Sequence, residues 1–300
     1  LSVAIIGAGR VGTALGIALR RAGYAIDFVV AKHAQTAKRA AQSIGKTTGL
    51  SDEQFRRFAR RDGFRSSLII VATPDDAIET VARELAELGR DDPRNSAARR
   101  VVLHTSGALS SAVLEALRGA GFAIGSLHPL VSISDPRVGA KALSQAFFSI
   151  EGDAAAIRLG KKLVRALGAQ SFTIDTNMKP LYHAAALMSS PNLTALFDIA
   201  VEMLARCGLS RTRARLVLLP LVKSTVENLT THDPARALTG TFKRGDIATV
   251  RKHLAAIESQ DLRDALAAYR LLGRRSLTLS KNPPNEKAIR ELLKAASDKN

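Results

Sequence analysis

Three short segments of the 300-residue chain carry side chains able to move a proton or hold a polar ligand. They are His104-Thr105-Ser106-Gly107, His128-Pro129, and the run from Lys179 through His183 to Asn192. An ordinary histidine titrates near neutrality, so His128 is a candidate general acid or base. His104 stands nearer the centre of an apolar run and is the weaker candidate of the two. Ser106 both donates and accepts, and can hold a substrate oxygen or a carboxamide. Lys179 and His183 are four residues apart, which places them on one helix face, and Ser190 falls near that face further on. Ala184 to Met188 between them are apolar, so a polar stripe here predicts a polar cavity rather than bulk solvent. Lys179 can give up a proton or bind a carboxylate; the alternative is a surface lysine at a helix start. Asn192 can orient a carbonyl. A glycine-bounded polar loop, Ala237 to Asp246, adds Thr239, Thr241 and Arg244 as possible contacts for an anionic ligand, with Asp246 reading as the cap of the next helix.

A proton donor of this kind is half of a hydride exchange. The other half is legible near the start, in LSVAIIGAGRVGTALGIALRRAGY. Gly7-Ala8-Gly9-Arg10-Val11-Gly12 follows an apolar run, Val3 to Ile6, and precedes an amphipathic one, Thr13 to Ala22, the strand–turn–helix setting of a dinucleotide site. Gly7 permits the turn, Gly9 lets the backbone approach a pyrophosphate, and Gly12 lets the helix pack closely. The helix N-terminus offers free N–H groups to the phosphates. The second strand, Ile26 to Val30, ends in Ala31-Lys32-His33 with no carboxylate to hold a ribose diol; Asp27 comes too early. A basic pair at that place favours the extra phosphate of NADP over NAD, and Arg10 can reach the same phosphate or stack on adenine. The alternative is that Lys32 and His33 simply begin a solvated helix. Ligands of open α/β sheets lie beyond the carboxyl ends of the strands. Reading there gives Gly9-Arg10, Lys32-His33, Thr73-Pro74-Asp75, His104 to Gly107, and His128-Pro129.

The elements that must position these groups alternate. Strands are expected at Val3–Ile6, Ile26–Val30, Ser67–Ala72, Val101–His104, Phe122–Leu127, Phe147–Ile150 and near Phe172–Ile174. Helices fall between them, at Gln35–Ser43, Asp52–Arg61, from Asp76 to a stop at Gly89, at 111–118 and at 154–167. The stretch Arg90 to Arg100 reads as polar and exposed. This is the pattern of a doubly wound sheet. From Thr176 the texture is helical, with segments at 178–206, 210–229, 246–256, 259–272 and 286–296. The sequence therefore predicts an α/β domain over 1–175 and an all-helical domain over 176–300.

Composition narrows the classes further. The chain is 46% apolar, has one cysteine, Cys207, and a formal charge of +17. One cysteine excludes an internal disulfide framework and a cysteine-rich metal site, and no metal-ligand spacing, G-x-S-x-G elbow or P-loop lysine occurs. No uninterrupted run of 18 apolar residues exists, so no membrane span is expected, and no signal peptide is visible ahead of the first strand. The expected location is cytoplasmic. The arginines are scattered, and Phe55, Phe58 and Phe64 among them have the spacing of an amphipathic helix. The charge is therefore read as attraction of an anionic cofactor or substrate, not as a nucleic-acid site.

The phrases GAGRVG, VATPDD, LHTSG, SLHPL, KPLYHAAALMSSPN and ALTGTFKRGD resemble, over nearly the full length, the β-hydroxyacid dehydrogenase and pyrroline-carboxylate reductase superfamily. Within it they resemble a bacterial family of Rossmann-like NADP oxidoreductases with a C-terminal domain of unknown function. The resemblance implies a doubly wound Rossmann domain followed by an all-α domain of the 6-phosphogluconate dehydrogenase-like type, NADP as cofactor, and a homodimer through the helical domain. Ser106 matches the substrate-contacting serine of hydroxyacid dehydrogenases. His128-Pro129 resembles the His-Pro of prephenate dehydrogenases, whose histidine is catalytic. Lys179 resembles the catalytic lysine of the hydroxyisobutyrate and ketopantoate enzymes, with His183 standing where those have asparagine. Ser190-Pro191 resembles the glycine-proline turn of pyrroline-carboxylate reductase. The implied activity is NADP-dependent hydride transfer to or from a small carboxylate-bearing hydroxy, oxo or imino compound. The alternative is a nucleotide-binding regulatory or scaffold protein without turnover.

Overall fold

The computed structural model describes residues 1–63, 66–90 and 100–294. Eight strands form one sheet: β1 (Ser2–Ile6), β2 (Ala25–Ala31), β3 (Thr48–Ser51), β4 (Leu68–Val71), β5 (Val101–His104), β6 (Ala123–Leu130), β7 (Phe147–Gly152) and β8 (Gln170–Thr173). Their order is β3-β2-β1-β4-β5-β6-β7-β8. Every adjacent pair is parallel except β6 with β7. The chain winds outward from β1 in both directions, so the glycine turn after β1 stands at the topological switch point, where such sheets bind ligands.

Among the described residues, six helices and two 3-10 helices (Ser111–Ala120 and Leu143–Gln145) cover the sheet: α1 (Arg10–Arg21), α2 (Ala34–Ile44), α3 (Asp52–Asp62), α4 (Asp75–Arg90), α5 (Pro136–Ala142) and α6 (Ala154–Ala166). Because side chains alternate along a strand, the sheet feeds two cores. Val3, Ile5, Ile70 and Leu103 pack with Leu15 and Leu19 on one face. Ala4, Ile69, Val71 and Val102 pack with Ile78, Leu85 and Leu114 on the other. Both faces are covered, which is why β4 and β5 read as unbroken apolar runs rather than alternating ones.

Several expectations are corrected. Helix α4 continues through Gly89 to Arg90. The helical segment expected at 111–118 is a 3-10 helix, Ser111–Ala120. β3 and α5 were not foreseen. β6 runs on to Leu130, so His128-Pro129 lies within a strand rather than beyond it, because β7 pairs back along that end. Arg100 is buried rather than exposed; residues 91–99, the rest of the stretch read as exposed, lie outside the described residues, as do Phe64 and the end of the 286–296 helix.

Backbone contacts divide the chain into Leu1–Met188 and Ser189–Asn300. Helix α7 (Lys179–Ser189) thus belongs, apart from its last residue, to the sheet unit. The second unit holds α8 (Pro191–Arg206), α9 (Arg211–Thr231), α10 (Pro234–Ala237), α11 (Thr241–Arg244), α12 (Ile247–Ser259), α13 (Arg263–Ser280) and α14 (Glu286–Leu292), and no strand among its described residues. Its cores are small: Val250, Leu254, Leu277, Ile289 and Leu293 form one, Ile257, Leu262 and Ala265 the other. The single helix expected over 178–206 is broken at Ser190 (φ −131°, ψ −83°), since Pro191 lacks an N–H and disfavours a helical residue before it. Contrary to the sequence reading, the stretch Thr176–Arg206 contains an 18-residue window long and apolar enough by composition to cross a membrane, with mean hydropathy 1.3 and 6% of that window buried. It passes only as the sum of α7 and α8, and α7 begins with a fully buried lysine.

Candidate active site

The glycine turn behaves as its spacing requires. Gly7 sits at φ +110°, and a Cβ there would stand 2.4 Å from the backbone carbon of Ala72. A Cβ on Gly12 would meet the Gly7 carbonyl oxygen at 2.0 Å, whereas one on Gly9 would meet nothing within 4 Å. Gly7 and Gly12 therefore serve packing, and Gly9 leaves space. That space belongs to a cavity of about 610 Å³ running from Gly7 and Gly9 past Lys32 and Thr36 to Thr73 and Pro74. Helix α3 closes its far side with Phe55 and Arg56, and Arg56 pairs with Glu84 of α4 at 2.9 Å. Arg10 and Val11 open α1; Arg10 lines a shallower neighbouring hollow with Thr36 and Arg39. His33 is the N-terminal flanking residue of α2 and does not line the larger cavity.

A second cluster occupies the carboxyl end of the same sheet. Ser126 pairs with His104 across β5–β6 and with Glu151 across β6–β7, and His128 pairs with Ser149. Paired residues share a face, so His104, Ser126, His128, Ser149 and Glu151 form a polar patch on a sheet face that is apolar deeper in. Lys179, fully buried at 0% exposure, enters this patch from α7. Its Nζ donates to the Ser106 carbonyl at 2.8 Å and to Ser126 Oγ at 2.5 Å. An ammonium has three donors; the third has no protein acceptor among the described residues. Burial holds Lys179 down at about 8, against the opposing pull of Glu151 and Asp75.

The histidines are kept neutral. Burial, with the Lys179 charge second, lowers His128 to about 4 and His104 to about 3. His104 Nδ1 accepts from the Ser106 N–H at 3.1 Å, which leaves the proton on the buried Nε2, on the side of the Ser110 backbone. His128 Nδ1 meets the Tyr182 hydroxyl at 2.7 Å, and Ser149 in turn hydrogen-bonds Tyr182, whose phenol burial pushes up. His183 packs edge-to-face on His128; its buried Nδ1 has no partner. A Cβ on Gly107 would lie 2.2 Å from that Nδ1 and 2.9 Å from His128 Cε1, so the absence of a side chain at 107 lets both rings approach the loop after β5. Ser106 Oγ donates to Asp75 at 2.9 Å and accepts from the Ala108 and Leu109 N–H groups, which fixes that loop.

The fold thus brings together Ser106, His128, Lys179 and His183, separated by up to 77 residues in the chain. Lys179 is not the surface lysine of the alternative reading. Ser190 lies outside α7, so it does not extend the Lys179–His183 face. Asn192 is an exposed residue of α8 and Arg244 ends α11, both in the second unit; Asp246 does cap α12, accepting from Thr249 N–H at 3.0 Å. Sequence reasoning missed Ser126, Tyr182 and Glu151; Asp75 it placed at a strand end without a role. Ser126 had a signal, standing two residues before His128 on a strand and so on the same face.

Fold and site define a Rossmann-like sheet domain followed by a helical region. Residues 1–129 match the family model of a Rossmann-like domain, and residues 146–276 that of a domain of unknown function, DUF2520. Both domains of the family its motifs resemble are thus matched, in the same order along the chain. Comparison with curated proteins gave no match. Among solved structures, a Bacteroides fragilis protein provisionally named an NADP oxidoreductase is 22% identical with TM-score 0.72, covering 92% of this chain and 98% of that one. A Thermotoga maritima protein is 23% identical with TM-score 0.67 over 93% and 98%. Pyrroline carboxylate reductase from Plasmodium falciparum, solved with NADP bound, is 14% identical with TM-score 0.57 over 94% and 98%. At these identities the likeness is one of fold.

Proposed function

We propose that this protein is an NADP-dependent oxidoreductase acting on a small carboxylate-bearing oxo or imino compound, or on the corresponding hydroxy or amino form. The observation that carries the reading is one sheet edge holding both a glycine cradle open only at Gly9 and a buried ammonium with a donor to spare. The residues fit the cofactor: Gly7, Gly9 and Gly12 would hold the pyrophosphate at the start of α1, with Thr73 and Pro74 opposite. Lys32 and Arg10, neither of them in an ion pair among the described residues, would meet the ribose phosphate. When bound, NADP supplies a hydride. The Plasmodium falciparum reductase solved with NADP bound, and the Bacteroides fragilis protein provisionally named an NADP oxidoreductase, support the same cofactor.

Reduction of a C=O or C=N bond leaves an atom that needs a proton. Lys179 is suited to hold it. An ammonium lowered to about 8 is protonated at neutral pH yet close enough to neutrality to release the proton efficiently. His128, lowered to about 4, is neutral there and acts as a fixed hydrogen-bonding group rather than as the acid. His183 Nδ1 is available to a polar substrate atom, and Ser106 holds the loop that carries Gly107. Exposed apolar residues of α8, α9 and α13, among them Leu193, Leu216, Leu221 and Leu271, support a homodimer through the helical unit, and a cytoplasmic enzyme is the natural setting.

The test is NADPH consumption by the purified protein across a panel of small oxo and imino acids. Turnover with one chemical class supports the reading; tight NADPH binding with no turnover on any member contradicts it.

A further inference from the structure

Glu151 is a buried carboxylate at 3% exposure that the proton chemistry above does not use. It stands directly across the β6–β7 ladder from Ser126, the residue whose hydroxyl receives Lys179 Nζ, so the carboxylate and the ammonium share one face. They do not form an ion pair. Glu151 is instead filled by three other donors: Ser111 N–H on Oε1 at 2.7 Å, Ser111 Oγ on Oε2 at 2.7 Å, and Thr176 Oγ1 on Oε2 at 3.1 Å. Ser111 begins the 3-10 helix after β5, and Thr176 begins the turn that delivers the chain to Lys179.

We propose that Glu151 is a positioning residue for Lys179, a counter-charge held on the same sheet face but out of contact with it. A direct ion pair would occupy the ammonium and remove its spare donor. An absent carboxylate would leave the buried cation with Asp75 alone as compensation, and such a site favours the neutral amine more. Three hydrogen bonds to Ser111 and Thr176 keep the charge near and the contact unmade, and the Thr176 bond also ties the entry of α7 to the sheet. The other titratable groups facing Lys179 are Asp75 of α4, His104 of β5 and His128 of β6, with His183 of α7 against His128. Asp75 accepts a hydrogen bond from Ser106, and His104 and His128 are neutral near pH 7, so Glu151 and Asp75 are the only compensating charges among them.

The role in catalysis rests on the proposed function, but its test needs neither cofactor nor substrate. Protein labelled with carbon-13 at lysine Cε is titrated by NMR, the Lys179 resonance being identified by its loss in Lys179→Met. Glu151→Gln keeps the shape and removes the charge, its amide oxygen accepting from the Ser111 N–H while its amide nitrogen donates to the Ser111 and Thr176 hydroxyls; the Lys179 midpoint is expected to fall by about one pH unit. Glu151→Asp, which keeps the charge, is expected to titrate nearer the wild type. A folded Glu151→Gln protein with an unmoved midpoint overturns the inference. Should Glu151→Gln fail to fold, the double variant Ser111→Ala, Thr176→Val carries the test. With both hydroxyls gone, Oε2 can turn toward the ammonium, and the midpoint is expected to rise; no movement overturns the inference. A moved midpoint in a protein that never oxidises NADPH would support this inference while the proposed function fails, and the converse separates them equally.

Discussion

The ammonium of Lys179 lies 2.8 Å from the backbone carbonyl of Ser106, 73 residues earlier in the chain. This contact ties helix α7 to the loop after β5 and places a cation where that loop meets two histidines. Replacing Lys179 with methionine keeps most of the buried volume and removes the donor. Turnover is expected to fall by about 10²–10⁴-fold, with NADPH affinity nearly unchanged because the glycine cradle is untouched. Steady-state kinetics and a binding titration on the same variant check this.

The same residue predicts a pH dependence of stability. Lys179 titrates at about 8 when folded against an ordinary value of 10.5. Between those values the unfolded chain binds the extra proton, so this group makes stability rise with pH from about 8 to 10.5 and contributes no slope below that window. The full difference is on the order of 3 kcal/mol. Denaturant unfolding of wild type and Lys179→Met across pH 7 to 11 should show the two curves separating in that sense, the wild type gaining on the variant as pH rises.

The three glycines of the turn should fail in different ways. Gly7→Ala and Gly12→Ala drive a Cβ into backbone at 2.4 and 2.0 Å, and are expected to lower stability by about 1–3 kcal/mol or more. Gly9→Ala meets no atom within 4 Å, so its stability should stay within about 0.5 kcal/mol of wild type. Its methyl group would stand where the pyrophosphate is proposed to pass, and NADPH affinity should drop about tenfold, roughly 1.4 kcal/mol. Thermal unfolding set beside cofactor titration distinguishes the two classes.

Tyr182 fixes the ring of His128 through a 2.7 Å hydrogen bond. With Ser149 donating to Tyr182 and Tyr182 donating to His128 Nδ1, the imidazole proton is held on Nε2. Tyr182→Phe keeps the ring packing and frees the tautomer. A loss of about 10–100-fold in kcat/KM is expected, with little change in Tm. Nitrogen-15 shifts of His128 in the variant report whether the tautomer was set this way.

Much of the architecture was legible because it is written locally. The first strand, glycine turn and first helix are contiguous, and β4 and β5 are short apolar runs ended by polar groups. β3 is not legible: Thr48-Gly49-Leu50-Ser51 is four residues, partly polar, and pairs only at an edge. The 3-10 helix at 111–120 carries an apolar spacing that an α-helix would share. His128 and Lys179 could be picked out by residue type, but which holds the proton could not, since that depends on burial and on one another's charge. Glu151 escaped notice because its meaning comes from Ser111 and Thr176, 40 and 25 residues away, and from a strand pairing that no local pattern announces.

The central claim is that the cleft at Gly9 and Lys32 binds NADP. Fluorescence titration of the purified protein with NADPH and with NADH tests it most directly. The account predicts saturable binding of both, with NADPH tighter by about tenfold or more through charge-assisted bonds to its extra phosphate, and a loss of that preference in Lys32→Ala. Absence of binding by either nucleotide would contradict it.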